Sequence, residues 1–67
     1  MSDSTKLLTM DEVTNLTTFA RYGIYKLIRE GRFPKQVQIG RNRVAWVESE
    51  VLEWIEHKMA QRNATSG

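Results

Sequence analysis

Apolar residues recur at helical spacing in three stretches of this chain and alternate with polar residues in a fourth. In the first stretch, Met10, Val13 and Leu16 are three residues apart, which predicts a short helix with these side chains as its buried stripe. Thr9 and Glu12 stand at the spacing of a capping box, so this helix is expected to begin at Met10. The two threonines that follow Leu16 are poor helix formers and predict a turn.

A second helix is predicted from about Arg21 to Glu30. Its apolar residues Ile24, Leu27 and Ile28 have the i, i+3, i+4 spacing of a single buried face. A glycine follows directly, at a position where a left-handed residue commonly ends a helix. A proline three residues later prevents the helix from continuing.

The beginning of this second helix is less well defined. Ala20 is one candidate N-cap, although alanine is a poor cap by about 0.5–2 kcal/mol. Thr18 is the alternative, and it would start the helix earlier. Gly23 weakens the first turn by roughly 1 kcal/mol relative to alanine.

The apolar period changes to two after the proline. Val37 and Ile39 alternate with glutamines, and residues 44–47 form a second apolar run, so two strands are predicted. Residues 40–43, Gly-Arg-Asn-Arg, have the composition of a tight turn, since glycine and asparagine tolerate positive φ. We therefore expect a β-hairpin with a basic tip whose arginines point away from Val37 and Ile39. Because a hairpin alone is marginal in water, it must pack on the helices.

The last element is predicted to be a helix from about residue 48 to about Gln61. Three glutamates near its start suit the positive end of the helix dipole. Both tryptophans of the chain are interpreted as core residues, because they lie among residues with apolar periodicity. One domain, residues 7–61, is expected between an N-terminus (1–6) and a tail (62–67) that are disordered. The apolar residues at helical spacing are Val51, Leu52, Trp54, Ile55 and Met59.

Basic residues are concentrated in the middle of the chain, although the whole molecule carries a net charge of only +2. Seven of the ten lysines and arginines lie between residues 21 and 43, where Glu30 is the only acid, so this segment carries +6. The other three basic and seven acidic residues give −4. Such a separation of positive and negative charge along the chain is typical of a protein that binds a polyanion. A solvated charged face is the alternative that charge alone leaves open.

Composition argues against several other functions. A chain of 67 residues has room for one domain with a thin core and none for a deep catalytic cleft. With no cysteine and only one histidine, His57, we expect no metal site, no cofactor and no enzyme activity. The N-terminal MSDSTK does not resemble a signal peptide and no apolar stretch approaches ~20 residues, so a cytoplasmic location is expected.

The order helix, turn, helix, hairpin, helix predicts a mainly α fold with a small β-hairpin, which is a winged helix-turn-helix. In DNA-binding domains of this kind the second helix enters the major groove. Cationic side chains suit phosphate or guanine, and phenol hydroxyls suit phosphate. The predicted contact residues lie opposite the buried face of the second helix, in the connection that follows it and at the hairpin tip: Arg21, Tyr22, Tyr25, Lys26, Arg29, Lys35, Arg41, Asn42 and Arg43.

The sequence also resembles a known family. The segments IYKLIREGRFPK (24–35), VAW (44–46) and ESEVLEWI (48–55), with shorter matches at 7–8, 12–13, 37 and 39–40, carry the resemblance over roughly residues 6–58. Together they are similar to the AlpA family, small prophage-encoded transcriptional regulators related to the excisionases and to the DNA-binding domain of MerR-type proteins.

The resemblance implies a winged helix-turn-helix that binds double-stranded DNA near promoters and attachment sites of phages or genomic islands. One role that it allows is a regulator of integrase or excision genes, and another is an excisionase-type protein that bends attachment-site DNA. At residues 20–23, Ala-Arg-Tyr-Gly, only Arg21 matches the family pattern, so no operator sequence is implied.

A function of another class stays open, namely a small protein-interaction module without DNA binding. The acidic outer face of the last helix is suited to docking RNA polymerase or an integrase. The chain ends about thirteen residues after Trp54, so the long C-terminal coiled coil of MerR-type relatives is missing. We therefore expect a monomer or weak dimer that binds DNA cooperatively.

Overall fold

A computed structural model describes residues 6–65 of the chain, and the side chains of residues 6–62. Three helices and three short strands follow one another and confirm the predicted winged helix-turn-helix. They are β1 (Leu7–Leu8), α1 (Met10–Thr17), α2 (Arg21–Arg29), β2 (Val37–Gly40), β3 (Arg43–Val47) and α3 (Glu48–Thr65).

Helix α1 begins at Met10, as predicted, because its capping box is complete. The Glu12 backbone N–H donates to the Thr9 hydroxyl at 3.2 Å, and the Thr9 backbone N–H donates to the Glu12 carboxylate at 2.8 Å. Met10 and Val13 are buried, but Leu16 is 44% exposed, so its assignment to the buried stripe was wrong. Leu16 lies at the rim between α1 and α3, beside an open groove, because the core does not extend to the last turn of α1.

The turn between α1 and α2 is tight. Thr18 adopts a left-handed conformation (φ 66°) and its N–H donates to the Thr14 carbonyl, which ends α1. Of the two candidate N-caps of α2, the structure has Ala20, which supplies no side-chain hydrogen bond. Helix α2 therefore starts at Arg21 without the stabilisation that a capping hydroxyl contributes.

Helix α2 ends where the sequence predicted, at a glycine in the left-handed region. Gly31 has φ 73°, its N–H donates to the Ile28 carbonyl at 3.0 Å, and the Arg32 N–H donates to the Leu27 carbonyl at 2.8 Å. These two bonds form a Schellman motif, which satisfies carbonyls that a helix end otherwise leaves free. The motif fixes the direction in which the chain leaves α2 toward the hairpin.

The sheet has one strand more than the predicted hairpin. Its order is β1-β3-β2, with both pairings antiparallel; Leu7 pairs with Val47 and Leu8 pairs with Trp46. The sequence analysis missed β1 because two residues carry no readable period. The residue before it is also ordered, although it was expected to be disordered: the Lys6 carbonyl accepts a 2.8 Å hydrogen bond from the Glu48 N–H.

The hairpin is built differently from the prediction in two respects. Its tip, Arg41 and Asn42, does not use positive φ, since Thr18 and Gly31 are the positive-φ residues in the described part of the chain. Instead, the strand register shifts between Gln38 and Gly40, which makes a bulge. A bulge adds local right-handed twist, which a two-residue loop of ordinary φ does not supply by itself.

The second difference concerns the apolar side of β2. Val37 and Ile39 are 39% and 51% exposed, so they do not form a buried face. The buried core cluster takes Leu8 from β1 and Trp46 from β3 but no residue from β2, so the apolar side chains of β2 lie outside the core.

The core lies between the helices and β3. Trp46, Ile24, Val13 and Val51 are its largest fully buried side chains, which confirms the core assignment of Trp46. The Trp46 indole N–H donates to the carbonyl of Pro34 at 3.1 Å, so this core residue also holds the connection between α2 and β2.

Trp54 is only half-buried, so its core assignment holds in part. Its indole N–H donates to the Arg32 carbonyl at 2.7 Å, and its ring meets Phe33 edge-on with centroids 4.9 Å apart. The two tryptophans thus hold the connection between α2 and β2 from two sides.

Helix α3 is longer than predicted, since it continues to Thr65 and not only to about Gln61. Residues 62–65, expected to be disordered, are therefore helical, because no glycine or proline interrupts the helix before Gly67. The expectations for residues 1–5 and 66–67 lie outside the described residues. No helix among residues 6–65 is both long enough and apolar enough to cross a bilayer.

Candidate nucleic-acid interface

The outer face of α2 carries the residues that the sequence singled out. Ile24 is fully buried, whereas Arg21, Lys26 and Arg29 are exposed. Since apolar contacts fix one face of this nine-residue helix, the cationic face is held toward solvent. The arrangement presents three long cationic side chains to any polyanion that approaches α2.

The two tyrosines of α2 differ in their surroundings. Tyr22 is 73% exposed, so its ring and hydroxyl project into solvent. Tyr25 is 36% exposed and its ring lies 6.4 Å from that of Trp46. Tyr25 is therefore held against the base of the hairpin, and this contact joins the exposed face of α2 to β3.

The hairpin tip presents Arg41, Asn42 and Arg43, all exposed. The side-chain amide of Gln38 donates to the carbonyls of Gly40 and Arg41, the latter at 3.2 Å. These bonds tie the Gln38 side chain to the tip backbone, and no sequence pattern predicts them. The role of Gln38 is to brace the loop that carries the two arginines.

Lys35 lies in the connection between α2 and β2 and is exposed. It lines an open groove with the apolar side chains of Val37 and Val47 and with Glu50 and Glu53 from α3. No ion pair between Lys35 and either glutamate is formed in the described structure. Lys35 thus shares a groove with two acidic side chains of α3.

Two cations outside the predicted contact set form ion pairs, whereas a third, Lys58, lies over the ring of Trp54 at 5.4 Å from its centroid. Two ion pairs are formed within residues 6–62: Lys6 with Glu48 at 3.7 Å, and Arg32 with Glu30 at 3.6 Å. Neither involves a predicted contact residue. The six cations of the predicted set therefore keep their charge available for an external anion: Arg21, Lys26, Arg29, Lys35, Arg41 and Arg43.

The arrangement of potential metal ligands is a further feature of the described residues. In the part of the chain that the structure describes, no three histidine, cysteine, aspartate or glutamate residues are grouped so that they could hold a metal ion. His57 is exposed on α3 and lines the groove beside Glu53.

Comparison with known proteins identifies the family. The family described as prophage CP4-57 regulatory protein (AlpA) matches residues 6–59, which include all three strands, α1, α2 and most of α3. This chain belongs to the AlpA family. The family is one of prophage regulatory, DNA-binding proteins, in agreement with the resemblance seen in the sequence.

A phage protein supports the AlpA assignment. The chain is 44% identical over 57 residues to the uncharacterized protein ORF88 of Enterobacteria phage P4. The match covers 85% of this chain and 65% of the phage protein, so it spans a little less than two thirds of that relative.

Proposed function

We propose that this AlpA-family protein is a sequence-specific regulator of transcription that binds double-stranded DNA through α2 and the hairpin, here called the wing (residues 37–47). It controls integrase or excision genes of a prophage or genomic island. Residues 7–61 form the DNA-binding domain, and no part of it acts as an enzyme.

In this proposal α2 enters the major groove. Tyr22, Lys26 and Arg29 are exposed on the side away from Ile24, and Arg21 is exposed in the first turn; in the proposal these four side chains reach base edges and flanking phosphates. Arginine and lysine pair with guanine in the major groove, and all of these side chains can donate to phosphate. Tyr25, held against Trp46, contacts the backbone next to the groove.

The wing reaches the neighbouring backbone or minor groove. Arg41, Asn42 and Arg43 are exposed at its tip, and the Gln38 amide holds the tip carbonyls, so little conformational freedom is lost on binding. Lys35 adds a phosphate contact between α2 and the wing.

The observation that carries the proposal is the ion-pair pattern. The cations with a described carboxylate partner, Lys6 and Arg32, are not in the predicted set, whereas the six predicted cations have exposed side chains and no such partner. An unpaired cation gains a strong partner when it meets a phosphate, and it loses no internal ion pair.

Salt dependence tests this proposal. If five to seven cations meet phosphates, log affinity falls linearly with log salt with a slope of roughly −4 to −6 on duplex DNA. Lys6→Ala, which removes a cation outside the basic segment, is the control and leaves the slope unchanged. A slope near zero, or no binding at low salt, contradicts DNA binding as the function.

A protein-interaction role is the second candidate, and one surface supports it. An open groove of about 450 Å³ lies between α1 and α3, with Leu16, Phe19, Ile55 and Met59 among its lining residues. Apolar grooves on small domains are common docking sites for partners, here RNA polymerase or an integrase. If docking is the main function, substitutions of the groove residues abolish the regulatory activity, and the parent protein does not bind DNA.

An excisionase-type role uses the same DNA contacts but acts at attachment-site DNA, which it bends. Bending of promoter and attachment-site fragments, measured on the same protein, separates the two roles. The domain acts as a monomer or weak dimer, and it gains affinity from cooperative binding to adjacent sites.

A further inference from the structure

The wing carries an apolar side chain that neither its own fold nor the core uses. Ile39 is 51% exposed, more than any other large aliphatic residue that the structure describes. It stands where the register between β2 and β3 shifts, one residue before Gly40. Bulges of this kind turn a side chain away from the regular alternation of a strand and are common next to functional sites.

A single exposed aliphatic residue is ordinary on a protein surface, so its exposure alone assigns nothing. What distinguishes Ile39 is its setting. Arg41 and Arg43 follow within four residues, are exposed and have no described ion-pair partner. The Gln38 side chain, next in sequence, braces the carbonyls of the tip. A hydrogen-bonded loop thus combines two cations with one apolar group.

Arginines combined with an apolar side chain are what proteins use to bind the minor groove of DNA. Proteins that enter the minor groove place arginines in it, where a narrow groove strengthens the negative potential, and insert an apolar side chain between base steps. The inserted group partly unstacks the step and bends the duplex. Val37, two residues earlier, has no such setting, because it lines the groove formed with Pro34 and Trp54.

We propose that Ile39 is an apolar contact of the wing with the minor groove of DNA and that it bends the duplex at the site it enters. This proposal rests on the proposed DNA-binding function. It adds a residue that reads the deformability of the DNA, because flexible steps are bent at lower cost than stiff ones. The arginines then supply affinity, and Ile39 supplies the bend and part of the sequence preference.

The test compares Ile39→Ala with Val37→Ala, a control that shortens an aliphatic side chain of the same strand. Ile39→Thr keeps the β-branched shape and strand preference but makes the group polar. Binding sites selected from random DNA carry dyes at both ends, so energy transfer reports the bend, and titration at several salt concentrations gives affinity and salt slope. Thermal melting of each variant verifies the fold.

We expect the parent protein to bend its site by at least about 20°, the lower end for apolar wedges. Ile39→Ala and Ile39→Thr lose most of the bend and about tenfold in affinity for the selected site. Their salt slope stays that of the parent, because no charge is removed. Val37→Ala behaves like the parent.

Three outcomes overturn the proposal. The parent binds its site without bending it; the Ile39 variants bend DNA like the parent; or they melt far below it, which would make Ile39 a structural residue. In all three cases salt-dependent binding by the parent leaves DNA binding itself intact. Failure of the parent to bind any DNA refutes the proposed function instead.

Discussion

Replacing Trp46 by alanine tests whether the wing is anchored by the core. Trp46 is 0% exposed, and truncation of a large buried aromatic ring costs ~3–5 kcal/mol. Its indole N–H donates to the Pro34 carbonyl at 3.1 Å, and removing that donor adds about 1 kcal/mol. The expected loss is therefore about 4–6 kcal/mol.

This loss is large on the scale of the whole domain. At about 0.05–0.15 kcal/mol per residue, a chain of this length is stable by roughly 3–10 kcal/mol. We therefore expect Trp46→Ala to be largely unfolded at room temperature, or to melt far below the parent. Circular dichroism at 222 nm, followed during heating and during urea titration, measures the change.

Two further variants separate packing from the hydrogen bond. Trp46→Phe keeps an aromatic ring but leaves the Pro34 carbonyl without its donor, so it should lose only about 1–3 kcal/mol. Trp54→Ala is the matched control, because that indole also donates to a backbone carbonyl but is only half-buried. It should be less destabilising than Trp46→Ala.

The melting temperatures and DNA binding of these variants can refute the central position of Trp46 in the core. If Trp46→Ala melts like the parent, or if Trp54→Ala costs more than Trp46→Ala, the core is not centred on Trp46. If Trp46→Ala melts like the parent and also loses DNA binding, Trp46 is a contact residue and the wing is not anchored as described.

Four other variants probe binding and stability. Lys26→Ala should weaken binding to the preferred site more than binding to random DNA, by about 1–3 kcal/mol, whereas Arg32→Ala should affect binding to the two DNAs equally. DNA titrations of each variant measure these affinities. If both variants lose the same affinity for the two DNAs, α2 only positions the protein. The double change Arg41→Ala with Arg43→Ala should leave melting nearly unaltered, within about 0.5 kcal/mol, and make the salt slope shallower by about two. A need for this arginine pair in folding would contradict the description of the tip. Ala20→Ser should add the missing cap of α2 and stabilise the domain by about 1 kcal/mol, or roughly 4–8 °C in melting temperature; an unchanged or lower melting temperature would show that the helix start lacks the geometry for a cap.

Local chemistry explains where sequence analysis was accurate. The Thr9–Glu12 capping box and the glycine at 31 are defined by residues within one turn of each other, so their geometry follows from sequence alone. The same holds for the basic face of α2. Its period places Lys26 and Arg29 away from Ile24, and the structure leaves both exposed.

Long-range packing explains where it failed. Leu8 pairs with Trp46 across thirty-eight positions of sequence, and no local pattern predicts such a partner for a two-residue strand. Val37 and Ile39 have the alternation of a half-buried strand, but β2 contributes no residue to the buried core, and both side chains are exposed. Which face of a strand is buried depends on the elements that cover it, and these are set by topology.

The candidate interface was predicted as a set of residue types on a helix face and a turn. Two features could not be predicted in that way. The ion pair of Arg32 with Glu30 sets Arg32 apart from its basic neighbours, and the Gln38 amide braces the wing tip. Both depend on the path of the backbone after α2 and at the bulge, which the sequence pattern does not specify.

An NMR titration of the isotopically labelled protein with a DNA site selected from a random pool tests the central claim most directly. If α2 and the wing tip form the interface, the largest changes in backbone amide shifts occur at residues 21–29 and 39–43. Residues 50–60 of α3 then change little. Shifts concentrated along α3 and the groove between α1 and α3, with α2 unchanged, would contradict the account.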